Sequence, residues 1–569
     1  MAKRSPWMKA LVALGTAGLL TACGGGGGAS GDGGAAFGGG GGGAGADASG
    51  GNAAAGADAG PDVQAKTSLT LAWNMSTPIS ATLNQALGQG ANSPLTCRSA
   101  DASVLMVSPD CAWAKTLRLG AASLSANNNR GETISVTVRG VPQRQALMAS
   151  SLSENGFKVL DSAGTPWFWG TGDANKLAQF TSDTTYSATD SAKPLQGKLS
   201  DKRLMTSLYA VSSGTRLASN LALTEQGEVL SWGGDGTTLG RLPSMNVTPA
   251  NVGNASRGQR LNNLVQIQVG DKNAAALRDD GLVYAWGEPR VVGRGPGLVS
   301  ALYPELVMTS PGVPLRNVVQ IAAGSNFTLA LTGSGEVYVW GANDGLNLRN
   351  PDGTQNSHFF WATPVSSAAN GPALRDIVGV AAGQSHALAL TSSGYVFAWG
   401  SNIYGQLGRG TQSFSTVGLS PDLVKAPWGT TYLYNVVAIS SGQHHSLALM
   451  GDGSVVSWGG TSASEPYLGA GPYSREGSLL PAYVVDRDNA SALRGIVSIS
   501  ATPTASYALT AKAELLSWGH NYAGSLGTGK LFFGLSGSAT PVAVVSPTGD
   551  PAWVLGDLTQ FKNLSQRYR

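Results

Sequence analysis

Seven short β-patterned blocks in this chain end in Trp-Gly, and their period limits the possible fold more than any other feature of the 569 residues. The pairs are Trp169-Gly170, Trp232-Gly233, Trp286-Gly287, Trp340-Gly341, Trp399-Gly400, Trp458-Gly459 and Trp518-Gly519. Successive tryptophans lie 63, 54, 54, 59, 59 and 60 residues apart. A near-constant period of that size marks one supersecondary unit copied in tandem, not a single large core. In the fourth block, Val318 to Gly341, Val319 pairs with Ile321, Leu329 with Leu331 and Val337 with Val339 at a spacing of two. That is the period of strands with one buried face. Thr332-Gly333-Ser334-Gly335 separates the second run from the third, and Ser392-Ser393-Gly394 and Gly451-Asp452-Gly453 hold the same place later. Glycine supplies the positive φ of tight hairpin turns.

A fourth strand per unit is signalled by Pro249, Pro304, Pro364, Pro421, Pro481 and Pro541, each following a Trp-Gly. Proline has no N–H for a central ladder, so this strand belongs at the outer edge. Four antiparallel strands in seven copies predict an all-β fold, a seven-bladed β-propeller.

The fifth block, IVGVAAGQSHALALTSSGYVFAWGSNIYGQLGRG from Ile377 to Gly410, resembles the regulator-of-chromosome-condensation repeat family almost throughout. The sixth, VVAISSGQHHSLALMGDGSVVSWGG, is nearly as good, and the seventh keeps Trp518-Gly519-His520-Asn521 and Gly524 to Gly529. The first block, Ala146 to Gly170, keeps little beyond Gly164 and its Trp-Gly. The resemblance spans about residues 145–550; it implies the propeller strongly and a function weakly, because one fold hosts many functions. The family includes guanine-nucleotide exchangers of a small nuclear GTPase and a secreted bacterial β-lactamase-inhibitor propeller. Ring closure has two readings: Ala146-Leu147-Met148 begins the first blade, or Leu555 to Phe561 resembles the first strand of the other blades. Either way the C-terminal segment is expected to complete the blade that the first block begins.

The ends carry different information. Lys3, Arg4 and Lys9 precede an apolar run from Ala10 to Leu20, so residues 1–22 read as an export signal. Leu20-Thr21-Ala22-Cys23 resembles the bacterial lipobox, which implies lipidation at Cys23, with palmitate among the acyl chains; an ordinary secretory signal cleaved nearby is the alternative. Gly24 rather than Asp follows Cys23, which favours the outer membrane over inner-membrane retention, in either leaflet orientation. After Cys23, residues 23–62 are almost all Gly, Ala, Asp and Ser with Phe37 the only aromatic, a composition that cannot bury a core and reads as a tether. Residues 63–141 lack the repeat but alternate like strands, predicting a small β-domain. Its Cys97 and Cys111 are expected to form a disulfide in an exported chain, worth about 3 kcal/mol of loop-closure entropy; a metal pair or redox couple is the other reading. The propeller occupies 142–569.

Charge and motifs bound the chemistry. Lys plus Arg total 37 and Asp plus Glu 34, and three of those bases lie in the leader with no acid, so the remainder balances at zero. A propeller that neutralises phosphates needs a basic surface, so no nucleic-acid partner is expected, and an exported chain is expected to meet no small GTPase. Membrane contact is expected through the N-terminal lipid only. The repeat tryptophans read as packing between blades. His386 and His445 share a repeat position that Phe327 and Asn273 fill elsewhere, which marks a structural role. His444 and His445 are adjacent on a strand and point to opposite faces, which opposes chelation; His358 and His520 stand alone. Gly524 to Lys530 has phosphate-loop spacing, but Leu531 replaces the required Ser or Thr and no helix pattern follows. No catalytic residue, cofactor or metal site is expected. The remaining candidates are aromatics on loops: Phe359, Phe360, Trp361, Tyr404, Tyr432, Tyr434, Tyr467, Tyr473, Tyr522, Phe532 and Phe533, with Trp361, Tyr404, Tyr467 and Tyr522 foremost. The expected function is non-enzymatic binding of an unidentified protein by an envelope lipoprotein. Binding of surface polysaccharide or peptidoglycan is the first alternative, and an envelope lyase or hydrolase the second.

Overall fold

A computed structural model describes residues 67–142, 156–170 and, apart from short stretches, 191–555. The leader, Cys23, the tether and Ala146–Met148 lie outside the described residues. The chain divides into two compact units.

The smaller unit takes in residues up to Leu71, 76–116 and 120–139. Alternation dictates its sheets: in Thr133–Val141, Ile134, Val136 and Val138 are buried while their neighbours face outward. That strand lies between Thr67–Ala72 and Gly120–Asn128, with Leu95–Ser99 beyond. A second, three-stranded sheet orders Ser76–Pro78, Trp113–Thr116 and Leu105–Val107. Cys97 and Cys111 are disulfide-bonded within the core they share with Leu83, Leu124 and Val136. The strand reading missed one helix, Ser80–Ala86. Seven residues are under two turns, too few for a period of 3.6 to show. Its buried Asn84 donates through Nδ2 to the carbonyls of Ala91 and Ser93, closing the loop that follows.

The larger unit is the propeller. Its described residues form seven blade sheets, each antiparallel and in chain order, and two short two-stranded ribbons, Gly253–Asn254 with Gln259–Arg260 and Met308–Ser310 with Val313–Pro314. In the fourth, Val318–Ala323, Phe327–Thr332, Val337–Ala342 and His358–Pro364 run from the inner to the outer edge. The second strand is buried throughout and the outer one only partly. Pro304, Pro364, Pro421, Pro481 and Pro541 all lie in outer strands, where a missing N–H leaves no ladder bond unmade. The first sheet has three described strands, Gly156–Leu160, Pro166–Gly170 and Ser191–Gln196.

Two repeated contacts join the blades. At one edge, the first N–H of each inner strand donates to the turn carbonyl of the blade before it. Leu208, Leu264, Val318, Ile377, Val436 and Ile496 bond to Gly164, Gly227, Gly281, Gly335, Gly394 and Gly453 at 2.9–3.1 Å. The seventh copy runs from Leu555 N to Ala513 O at 3.0 Å. Leu555 therefore stands where the inner strand of blade one begins, and residues 556–561 lie outside the described residues. At the other edge, each repeat tryptophan is fully buried against the preceding blade. The indoles of Trp286, Trp458 and Trp169 donate to the carbonyls of Thr238, Gln406 and Ser525 at 2.7, 2.8 and 2.9 Å. The last of these spans 356 residues and joins blade seven to blade one. Phe157 and Trp169 of blade one share a core with Tyr507, Leu515 and Val544 of blade seven, so the ring is closed by packing as well.

Five of the seven indoles lie against a glycine held at positive φ. A Cβ on Gly240, Gly293, Gly408, Gly469 or Gly527 would come within 2.7–2.9 Å of the next blade's Trp ring, and their φ values run from +63° to +67°. Burying one such ring is worth about 4–6 kcal/mol as an upper bound, and the glycine is what lets the ring approach. Gly408→Ala should therefore destabilise the ring by the left-handed cost, about 1–2 kcal/mol, plus about 1–3 kcal/mol of overpacking. Gly312→Ala, at φ +76° with open space around its Cα, should show the first cost alone. Urea unfolding followed by tryptophan fluorescence distinguishes them; equal losses would mean that the indole–glycine contact contributes nothing.

Candidate functional site

Antiparallel order splits the propeller's connections between two faces. Inner-to-second and third-to-outer connections emerge on one, here the loop face. Second-to-third turns and the connections to the next blade emerge on the other, the hairpin face. The expected aromatics do not share a site. Trp361, in the outer strand of blade four, lays its indole over Gly295 of the preceding blade's loop, whose N–H donates to Phe360 O at 2.8 Å. Phe359, two residues before it, is core at 2% exposure; a shift of register in the outer strand between Phe359 and Thr363 breaks the alternation that would otherwise put the two rings on one face. Tyr404, on the loop face after Trp399-Gly400, is half-buried against the His444 ring, with centroids 4.0 Å apart. Tyr522, on the loop face of blade seven, is exposed. Tyr467, Tyr473, Phe532 and Phe533 lie outside the described residues.

Among the described residues, the largest gathering of exposed aromatics is on the hairpin face where blade five meets blade six. Residues 424–433 fold back as a hairpin: Ala426 N donates to Thr431 O, Gly429 N to Ala426 O and Leu433 N to Val424 O, at 2.8–2.9 Å. Val424, Ala426 and Leu433 are buried beneath it. Strand alternation then turns Tyr432 and Tyr434 outward on either side of Leu433, at 48% and 58% exposure, and Trp428 at the bend is 58% exposed. Trp428 Nε1 donates to Thr431 Oγ1 at 3.0 Å, which orients the indole. Tyr395, in the blade-five turn, is a fourth exposed ring. It follows Gly394, whose carbonyl accepts from Val436 N, two residues after Tyr434. Sequence reasoning passed over Trp428 and Tyr395. The available signal was Trp428-Gly429, a Trp-Gly pair out of register with the other seven.

Polar side chains inside the ring are spent on structure, the glutamines and histidines across blade boundaries and the arginines within a blade. Gln266 bonds both ways to Ile321, Nε2 to O and Oε1 to N, each at 2.9 Å, and Gln320 does the same to Val380 at 3.1 and 3.2 Å. Arg241 and Arg409, each following a Leu-Gly, bond the carbonyls of Ser231 and of Ala398 and Ser420, with burial lowering both guanidinium pKa values. His386 Nε2 meets Ser446 Oγ of the next blade at 3.0 Å. Ser446 itself donates to Gln406 O, so its oxygen accepts from a protonated Nε2. His445 repeats the contact with Ser506 at 2.9 Å. In blade three Asn273 does the same work, donating to Thr328 Oγ1 at 2.7 Å. Burial, aided by the neighbouring histidines, lowers His386 to about 3, and burial beside His444 lowers His445 to about 3. These are neutral structural side chains. Among the described residues, no three of His, Cys, Asp and Glu gather where they could hold a metal ion.

Comparison with known proteins adds the lineage. A family model described as RCC1-like domain matches residues 155–551. The E3 ubiquitin-protein ligase HERC2 of Homo sapiens is 33% identical over 291 residues, 50% of this chain and 5% of that protein. The chain thus spans only a small part of the first of these relatives. The ultraviolet-B receptor UVR8 of Arabidopsis thaliana is 27% identical over 395 residues, 68% of this chain and 80% of the receptor. In fold the chain is similar to Prp20p of Saccharomyces cerevisiae, with a TM-score of 0.52 and 22% identity over 73% of this chain and 95% of that one. Prp20p is described with its binding properties to Gsp1p and histones. This corrects the expectation that no small GTPase would be met: a ring of the same fold is described with one. The expectation rested on the N-terminal export signal and not on any property of the blades.

The buried histidines generate a pH dependence. A folded-state pKa held below the ordinary 6.5 stabilises the neutral form, so the contribution is full above about pH 6.5 and is lost as pH falls from there toward 3. Stability should fall by about 1.4 kcal/mol per pH unit for each histidine over that window. Replacing His386 and His445 by Asn, the residue at this position in blade three, should flatten the slope in urea melts between pH 4 and 7. An unchanged slope would place the titration elsewhere.

Proposed function

The chain belongs to the RCC1-like domain family, and on that premise we propose that it is a non-enzymatic protein-interaction module, exported and lipid-anchored at the outer membrane through Cys23. The observation that carries the binding role is the set of four exposed aromatics, Tyr395, Trp428, Tyr432 and Tyr434, on one face of a rigid ring. Exposed aromatic clusters on loops of a stiff scaffold are poorly explained by folding, because each ring left in water forfeits burial, and they recur as anchors at protein interfaces. The description of Prp20p with Gsp1p and histones is in keeping with a partner of the same class. The anchor rests on the leader and on Leu20-Thr21-Ala22-Cys23, and the Gly-rich residues 24–62 would give the ring a reach of about 30–35 Å from the membrane.

Two experiments test these parts separately. Crosslinking of the full chain in its native envelope, followed by affinity purification, should enrich one protein. Trp428→Ser and Tyr434→Ser should reduce its recovery by about 30-fold, the loss expected for a 2 kcal/mol anchor. Recovery unaffected by both changes would remove the hairpin face from the interface. For the anchor, Cys23→Ser should abolish incorporation of radiolabelled palmitate; a label that persists would refute lipidation at that residue.

A further inference from the structure

The two outward faces of the smaller unit differ in character. Leu105 and Ala114 of its three-stranded sheet share a core with Leu69, Leu124 and Val136 of its four-stranded sheet, so the remaining faces point away from each other. Along Thr133–Val141 the outward residues are Thr133, Ser135, Thr137 and Arg139, as a solvated face requires. The three-stranded sheet is otherwise. Residues opposite each other on neighbouring strands share a face; Pro78 stands opposite Trp113, and Lys115 stands between Ser76 and Met106. Pro78 is exposed, Met106 is 45% exposed and Trp113 is half-buried, and none of the three belongs to the core beneath. Asp110, the acid nearest Trp113 in sequence, turns back to accept from Ala112 N at 3.1 Å.

We propose that this face is a second membrane contact, seated in the interface of the bilayer to which Cys23 anchors the chain. The inference rests on the lipid-anchor reading above and goes beyond it, because there the lipid is the whole contact. Position favours the bilayer as occupant. Residues 24–66 run from the anchor directly into Thr67–Ala72 of this same unit. A leash with a reach of about 30–35 Å makes the second contact intramolecular, so a weak one suffices. Size argues the same way. Five side chains on short strands fall below the about 800 Å² per partner that a stable protein interface takes up, whereas interfacial binding scales with whatever apolar area is buried. The chemistry fits. An indole places an apolar ring and an N–H at headgroup level. Met106 and Pro78 add apolar area, and Lys115 can lay its stem along them while its ammonium reaches lipid phosphate.

Met106→Cys tests this in the full chain, anchored in vesicles of phosphatidylethanolamine and phosphatidylglycerol. With Cys23 lipidated and Cys97 bonded to Cys111, the new thiol is the one free site for an environment-sensitive fluorophore. A nitroxide just below the lipid headgroups, the depth an interfacial apolar face reaches, should quench that label by more than about half. The same label at Thr137→Cys, on the opposite face, should stay bright. Adding Trp113→Ser to Met106→Cys should reduce the quenching at least about twofold, with matching thermal melts excluding unfolding as the cause. Equal quenching at the two sites, or quenching indifferent to Trp113→Ser, overturns the proposal. So does a change at residue 106 that requires an envelope protein and not lipid, which would make the face a protein contact. The anchor is judged separately. If the chain incorporates palmitate and its label at residue 106 is still not quenched, the face alone falls. If palmitate labelling fails, the chain from Gly24 onward, without leader or lipid, should still show Trp113-dependent quenching at high vesicle concentration, and its absence there overturns the face too.

Discussion

At five blade boundaries an indole meets a glycine, and this contact is what the ring's packing depends on there. The tryptophan supplies a large apolar area and, at Trp169, Trp286 and Trp458, an N–H that must find a carbonyl once buried. The glycine supplies the absence of a Cβ and a backbone held near φ +65°, so that the ring can come close. Neither is useful alone. A blade cannot bury both faces of its own sheet, so its stability depends on the neighbour, and the last blade must find the first. The Trp169–Ser525 bond and the Leu555–Ala513 bond show that the same two contacts used between neighbouring blades also close the ring.

That arrangement leaves little chemistry inside. Side chains that would suggest a polar site in a linear reading are engaged in structure: the glutamines hold backbone groups of the next blade, the histidines a serine hydroxyl there, and the arginines carbonyls of their own blade. His386 and His445 illustrate the physical logic: a repeat position that needs one donor aimed across the boundary accepts His in one blade and Asn in another. Selectivity must then come from what the rims expose. The rims are free to differ at positions whose side chains point outward, such as Tyr432 and Tyr434, while Val424, Ala426 and Leu433 of the same hairpin stay buried.

Much of the architecture was legible in the chain. Trp-Gly spacing, alternation and the outer-strand prolines specify the strands and their order, since each follows from local rules of burial and hydrogen bonding. The interacting surface was far less legible. Phe359 and Trp361 lie in a segment that looks like exposed loop, yet one is core and the other covers Gly295. Tyr404 and Tyr434, 30 residues apart in sequence, emerge on opposite faces. The short helix Ser80–Ala86 escaped notice because it is too brief to display its period.

By itself, then, the sequence determined that this is a ring of seven four-stranded units, because strand period, glycine turns and buried tryptophan are local requirements repeated in register. Tertiary structure alone decided which aromatics share a face. Antiparallel order sends alternate connections to opposite ends of the sheet, so Tyr395 and Tyr434, 39 residues apart, are brought to one boundary by the bond from Val436 to Gly394. A surface assembled from two blades has no counterpart in any single stretch of chain, and it exists only once the blades have packed.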